Sequence, residues 1–310
     1  MAENEKKTIP SVEGMEAHID TWRDIIKNKQ RGIFTFDELV EIKLKALKKR
    51  IYTDFVNTAP WKMRECIYKD IGDYEYLYDG WKDLDVGGYW GGNGLSSFFK
   101  NKITIPERFE GKKVTLYVYF GGDSLVSVNG VPFQGLDPFR NAVVLTDCAK
   151  AGDTYDIDIE SYFVWHSNES SLKKLECSFI ATTDDEINEI YWDLKAVYNA
   201  LFMPGMGNDY ATLIRESLKE AFQYVDFDEP DFDVFKAKLR MCKKILYDKV
   251  YNNPNYKCMG KLDLIGNSHL DMVYMWAYKE FVRKVGRTHA TMLRLMEQYP
   301  DFIFSQSQAG

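Results

Sequence analysis

The sequence predicts an α+β multi-domain chain: N-terminal helices, an antiparallel β-sandwich of jelly-roll type, linking helices and the start of an α/β barrel-like domain. Three observations predict it. Apolar residues recur every three to four positions through the first fifty residues, and the period changes to two between Leu84 and Ile180. Helical spacing then returns at Thr183, ahead of a strand–helix–strand run in the last fifty residues. Residues 1–60 therefore read as an N-terminal helical segment and 61–181 as the sandwich. Residues 182–257 read as a linking helical region and 258–310 as the first βαβ unit of a further domain.

The first helices are carried by Met15, Ile19, Trp22, Ile25 and Ile26, then by Leu39, Ile42, Leu44, Leu47 and Ile51 after a start at Asp37. Residues 52–80 are aromatic and irregular and predict no element. Val114, Leu116, Val118 and Phe120 alternate with Thr and Tyr. Val126 and Val128 lead into Asn129-Gly130, the strongest short signal for a hairpin, with Val131 and Phe133 beyond it. Val143–Leu145, Tyr155–Ile159 and Cys177–Ile180 supply further strands.

Thr183 and Glu186 fit a capping box before the stripe Ile187, Ile190, Tyr191, Leu194, Tyr198 and Leu201. A second helix runs from about Tyr210 to Val225, and a third follows Pro230. In the last fifty residues a strand from Leu262 to Asn267 precedes a helix with Trp276, Phe281, Val285, Leu293 and Met296 inward. Phe302–Phe304 then forms the second strand.

Composition narrows the class. An apolar fraction of 45% with 20 Tyr, 19 Phe and 7 Trp marks a folded globular chain. A net charge of −7 argues against a nucleic-acid binder, and no apolar run reaches the length of a membrane span. The five cysteines are an odd, dispersed set without a CxxC pair, and the N-terminus is charged rather than signal-like. The expectation is a reduced, cytoplasmic compartment.

One segment names a chemistry: Lys261-Leu-Asp-Leu-Ile-Gly-Asn-Ser-His-Leu-Asp271. On an extended backbone, positions i and i+2 face the same way, so His269 and Asp271 converge. An imidazole nitrogen and a carboxylate oxygen on one point are half of a zinc coordination sphere. His269-Leu-Asp271, Trp276, Glu280, Arg287, Leu293–Met296, Tyr299-Pro300 and Phe304-Ser-Gln-Ser-Gln-Ala309 together resemble the start of the catalytic domain of glycoside hydrolase family 38 α-mannosidases. The preceding helices and sandwich are similar to the N-terminal region of that family's cytosolic and bacterial branch.

The resemblance implies hydrolysis of terminal, non-reducing α-D-mannose with retention, on mannose-containing oligosaccharides. It implies His269 and Asp271 as ligands of zinc or another divalent cation, and Trp276 as a wall of the sugar subsite. It also implies that the remaining ligands, nucleophile and acid/base come from chain beyond residue 310, so that residues 1–310 alone are inactive. A homo-oligomer at full length is a further expectation. Three positions depart from the family pattern. Asn267 stands where a second His is frequent, Tyr274 where a Trp is usual, and Ala277-Tyr278 where Pro-Leu is common.

Other readings stand beside this one. Glu280, Arg283 and Arg287 read as a surface salt-bridge ladder, and His289 as an ordinary polar or packing residue. Asp184-Asp185, Asp226–Glu229 and Asp231–Asp233 read as helix caps rather than metal clusters. Trp81, Tyr89, Trp90, Phe98, Phe99 and Trp165 make the sandwich a candidate carbohydrate-binding module, or simply a well-filled core. A structural role in assembly is the third alternative.

Overall fold

The computed structural model of the protein describes residues 34–92, 94–162, 172–255, 262–274 and 276–306. The predicted N-terminal helices before residue 34, together with His18, His166, Trp165 and Cys258, lie outside them. The described residues divide into two compact units, one of 34–54 with 183–255 and one of 55–182 with 262–306.

The first unit is helical: α1 (Phe36–Arg50), α2 (Asp185–Ala200), α3 (Asn208–Ala221) and α4 (Phe232–Leu246), which widens into a π-turn at Tyr247–Tyr251. Val40, Leu44 and Leu47 of α1 share one core with Ile190 and Leu194 of α2, Leu218 of α3 and Leu239 of α4. The segments before and after the sandwich are thus a single packing unit. Two helix starts differ from expectation. Thr35, not Asp37, caps α1, closing a capping box with Glu38. Asp184 caps α2 through a bond from the Ile187 N–H, because Thr183 is still the last residue of a strand. Leu39 is exposed rather than inward. Asp184 and Asp231 cap as expected, accepting from their own first turns, whereas Asp226 and Glu229 lie in a loop and bind Lys238 instead of capping a helix.

The second unit is an antiparallel sandwich with one helix on its outer face. Residues left unassigned from the sequence form β1 (Tyr52–Asn57), β2 (Trp61–Asp70) and β3 (Asp73–Tyr76). Then come β4 (Lys82–Leu84), β5 (Tyr89–Trp90), β6 (Leu95–Thr104), β7 (Val114–Tyr119), β8 (Asp123–Val128) and β9 (Val131–Leu136). Strands β10 (Ala142–Thr146), β11 (Thr154–Tyr162), β12 (Lys173–Lys174) and β13 (Cys177–Thr183) complete it.

Among the described residues the larger sheet has the order β3-β2-β6-β11-β8-β9, with β4 beside β2. The smaller sheet has the order β1-β13-β7-β10, and β5 pairs with β12. Asn129 (φ 52°) and Gly130 (φ 78°) turn β8 into β9, the left-handed pair that a two-residue hairpin requires.

Register decides which side chains face the core. Met63, Phe99, Ile159 and Val126 lie opposite one another across β2, β6, β11 and β8. They point inward against Leu116, Val118, Val143 and Ile180 of the other sheet. One residue along, the neighbouring rows carry Ser96, Glu160, Tyr162 and Asp123 to the outer face. That face is polar, and it receives the last helix.

Candidate functional site

Helix α5 (Tyr278–Gln298) follows the His269–Asp271 motif and lies along β9 and β8. The sequence places its apolar residues inward; the structure buries Glu280, Arg287 and Thr291 instead, and leaves Leu293 59% exposed. The reason is the surface it meets. Arg283 donates to Ser96 Oγ at 2.8 Å and to Glu160 Oε1 at 3.0 Å, and its guanidinium sits 3.8 Å from the Tyr68 ring and 4.4 Å from that of Tyr162. Glu280 accepts from both Arg283 Nε and Arg287, each at 2.6 Å. The expected surface ladder is therefore a buried ion network. Burial, with Glu160 beside it, pushes the Tyr74 phenol up, and its hydroxyl donates to Glu160 at 2.9 Å.

Backbone contacts reinforce the docking. The Gly135 N–H donates to Thr291 Oγ1 at 2.9 Å, and Lys279 Nζ donates to the Tyr68 carbonyl at 2.6 Å. Glycine allows this close approach, since a Cβ at 135 would come within 3.1 Å of Thr291 Oγ1 and 3.3 Å of the Arg287 carbonyl and press the helix outward by a few tenths of an ångström. This docking was missed in the sequence. A signal existed, because Glu280, Arg283, Arg287 and Thr291 form a polar stripe at helical spacing opposite an apolar one.

Ahead of the helix, the segment expected as a strand from Leu262 to Asn267 makes one parallel bridge, between Gly266 and Phe304. The Gly266 N–H donates to the Ile303 carbonyl and the Ser305 N–H to the Gly266 carbonyl, both at 2.8 Å. Asn267 Nδ2 adds a bond to the Ser305 carbonyl at 2.6 Å. Three residues past the bridge, His269 Nε2 lies 3.0 Å from Asp271 Oδ1. Both are accessible, with side chains 71% and 46% exposed.

In a tetrahedral site with bonds of about 2.0–2.1 Å, neighbouring ligand atoms stand about 3.3 Å apart. The observed separation is within a few tenths of that, so the pair could share one cation with little movement. Among the described residues no group of three or more His, Cys, Asp or Glu forms. The pair is half a sphere.

Trp276 is half-buried beside it. Its indole N–H donates to the Asp271 carbonyl at 3.1 Å, Tyr274 meets its ring edge-on at 5.8 Å, and Lys284 Nζ lies 4.4 Å from its ring centroid. His289 packs edge-on to Phe304 at 6.5 Å, away from any ligand set. Burial pushes the thiols of Cys177 and Cys242 up to about 12, which leaves neither a nucleophile.

The aromatics of the sandwich divide. Trp90 and Phe99 are core residues, and Trp90 donates to the Phe120 carbonyl at 2.6 Å. Trp81 and Tyr89 keep exposed faces. Among the described residues, no helix is long and apolar enough to cross a membrane.

Comparison with known proteins agrees with this layout. Residues 56–191 match the α-mannosidase jelly roll domain, and residues 259–310 match the N-terminal domain of glycosyl hydrolases family 38. Over these two stretches the chain is similar to the N-terminal portion of family 38 α-mannosidases.

Among curated relatives, it is 25% identical over 239 residues to the Mus musculus protein named α-mannosidase 2C1, covering 72% of this chain and 22% of the relative. It is 23% identical over 277 residues to α-mannosidase G of Dictyostelium discoideum, covering 82% and 24%. To the Homo sapiens α-mannosidase 2C1 it is 25% identical over 247 residues, covering 74% and 23%. The chain thus spans less than a quarter of the length of these relatives. Among solved structures, a β-glucuronidase from Ruminococcus gnavus aligns over 43% of this chain and 30% of its own, at 12% identity and a TM-score of 0.30.

Proposed function

We propose that this chain is the N-terminal part of a retaining, metal-dependent α-mannosidase acting on terminal non-reducing α-D-mannose of mannose-containing oligosaccharides. The observation that carries the reading is the 3.0 Å approach of His269 Nε2 to Asp271 Oδ1, at an accessible tip inside the segment matching family 38. His269 and Asp271 hold the metal, zinc or another divalent cation. When bound, it supplies positive charge that orients sugar hydroxyls.

Trp276 offers the exposed part of its indole as an apolar wall for the sugar, its N–H being committed to the Asp271 carbonyl. Retention requires two closely spaced carboxylates, one nucleophile and one acid/base. Those two, and the rest of the metal sphere, are assigned to chain beyond residue 310, in keeping with the greater length of the relatives. A cytoplasmic location belongs to the same proposal. It is supported by the absence of disulfides among Cys66, Cys148, Cys177 and Cys242.

The test is hydrolysis of an aryl α-mannoside by protein extended past residue 310. Activity should vanish with His269→Ala and with chelation, and return when zinc is added to the chelated wild type. Full activity in His269→Ala would refute the assignment.

A further inference from the structure

The metal-binding tip has few backbone anchors of its own. Between the Gly266 bridge and the start of α5, the described residues adopt no regular element, and His269 and Asp271 project into solvent. What holds Asp271 is the indole of Trp276 at its carbonyl, and Trp276 is itself held from outside the segment. Lys284, in the second turn of α5, lies 4.4 Å from the indole centroid, close enough for a cation–π contact. The same ammonium lies 3.6 Å from Asp123 Oδ2, at the start of β8. Arg287 approaches that carboxylate from the next turn at 3.9 Å. The Lys284 side chain is only 19% exposed, so its charge is held between ring and carboxylate rather than free to swing.

We propose that the jelly roll positions the metal-binding tip through a relay of three side chains: Asp123 anchors Lys284, Lys284 fixes the Trp276 ring, and the Trp276 N–H fixes the Asp271 carbonyl. Lys284 and Asp123 are positioning residues; neither touches metal or sugar. The buried Glu280–Arg283–Arg287 network supplies the rigid mount, since it clamps the first two turns of α5 to the sheet that carries Asp123. The jelly roll is then part of the catalytic apparatus, and the sugar-stacking role considered for its aromatics is not needed to explain why it adjoins the motif. Metal ligands held by a fixed outer shell bind more tightly than ligands on a loose one.

This inference rests on the reading of His269 and Asp271 as metal ligands, and the experiment separates the two. Amide hydrogen exchange is compared in the 310-residue chain for wild type, Asp123→Asn, Lys284→Met and the double variant, with zinc affinity measured by calorimetry on the same variants, and on His269→Ala, in protein extended past residue 310. Lys284→Met keeps the aliphatic stem and removes the charge. The amides of residues 268–274 should exchange several-fold faster in both single variants, while those of β11 stay unchanged. The double variant should match Lys284→Met alone, because the two residues act in series. Zinc affinity should fall about tenfold in Lys284→Met with an unchanged melting temperature.

Unaltered exchange at 268–274, or unaltered zinc affinity in Lys284→Met, overturns the relay. Zinc binding that survives His269→Ala, or fails in the wild type, overturns the ligand assignment instead. Exchange at 268–274 then still reports whether Lys284 orders the tip.

Discussion

Arg287 donates to Glu280 Oε1 at 2.6 Å across two turns of α5, and Glu280 retains only 2% of its exposure. Arg283 closes on the other carboxylate oxygen at 2.6 Å. One carboxylate is therefore held between two guanidinia in a place water scarcely reaches. An isolated buried charge is costly, but here each charge has a partner with good geometry and the guanidinium of Arg283 is stacked on tyrosine rings.

Removing the centre of that network should unbalance it. Glu280→Ala leaves two cations facing each other beneath the helix, and a broken buried pair costs about 3–5 kcal/mol. Urea titration of the purified chain should show a midpoint lowered accordingly for the sandwich unit. An unmoved midpoint would mean that water replaces the carboxylate.

The sandwich core makes a second prediction. Phe99 is fully buried, stacked on Phe120 with ring centroids 3.8 Å apart and met edge-on by Trp90 at 5.3 Å. Phe99→Ala opens a cavity between the sheets and should destabilise by about 3–5 kcal/mol. Phe99→Leu, which refills most of the volume, should recover a large part of the loss in the same titration.

Close approach of α5 to β9 makes a third. Gly135→Ala would push a methyl into Thr291 Oγ1 and the Arg287 carbonyl, both of which are held by their own helix. The expected cost is about 1–3 kcal/mol, the range for overpacking. Exchange protection should fall in α5 and remain in β6 and β11; a uniform loss throughout the sandwich would count against a local clash.

A fourth concerns acid. The bond from Arg240 holds the Glu186 carboxyl at about 2, well below its ordinary value, and Lys236 adds to the effect against a smaller opposing cost of burial. Because the folded value lies below the unfolded one, this stabilisation is fully present above about pH 4.5 and is lost as pH falls toward 2. The pair lies at the surface, so its contribution is about 1 kcal/mol or less. Glu186→Gln should lower the urea midpoint of the helical unit at pH 7, with the difference from wild type shrinking between pH 4.5 and 3. A gap that stays constant over that range would contradict the assignment.

Local features were legible in the amino-acid order because they depend on near neighbours. Asn129-Gly130 reads as a hairpin since both residues tolerate positive φ, and it is one. Ile187, Ile190, Tyr191 and Leu194 mark a helix face by spacing alone, and all four are buried. His269 and Asp271, two positions apart, approach each other although their segment adopts no regular element, and the same residues carry the family resemblance.

Residues 52–76 were illegible because mixed aromatic and charged residues blur the period, and strand identity there comes from pairing: β1 with β13, β2 with β6 and β3 with β2.

The chain's own order determined where the helix faces, the Asn129-Gly130 hairpin and the His–Asp tip fall, since each is set by residues a few positions apart. Only the tertiary structure decided that α1 packs with helices more than a hundred residues later. It alone decided, too, that Glu280, Arg283 and Arg287 are a buried joint rather than a solvated face. A polar stripe on a helix looks the same whether water or another polar surface lies against it. The partner here, Glu160 with Asp123 and Ser96, is assembled from three strands and exists only once the sheet has formed.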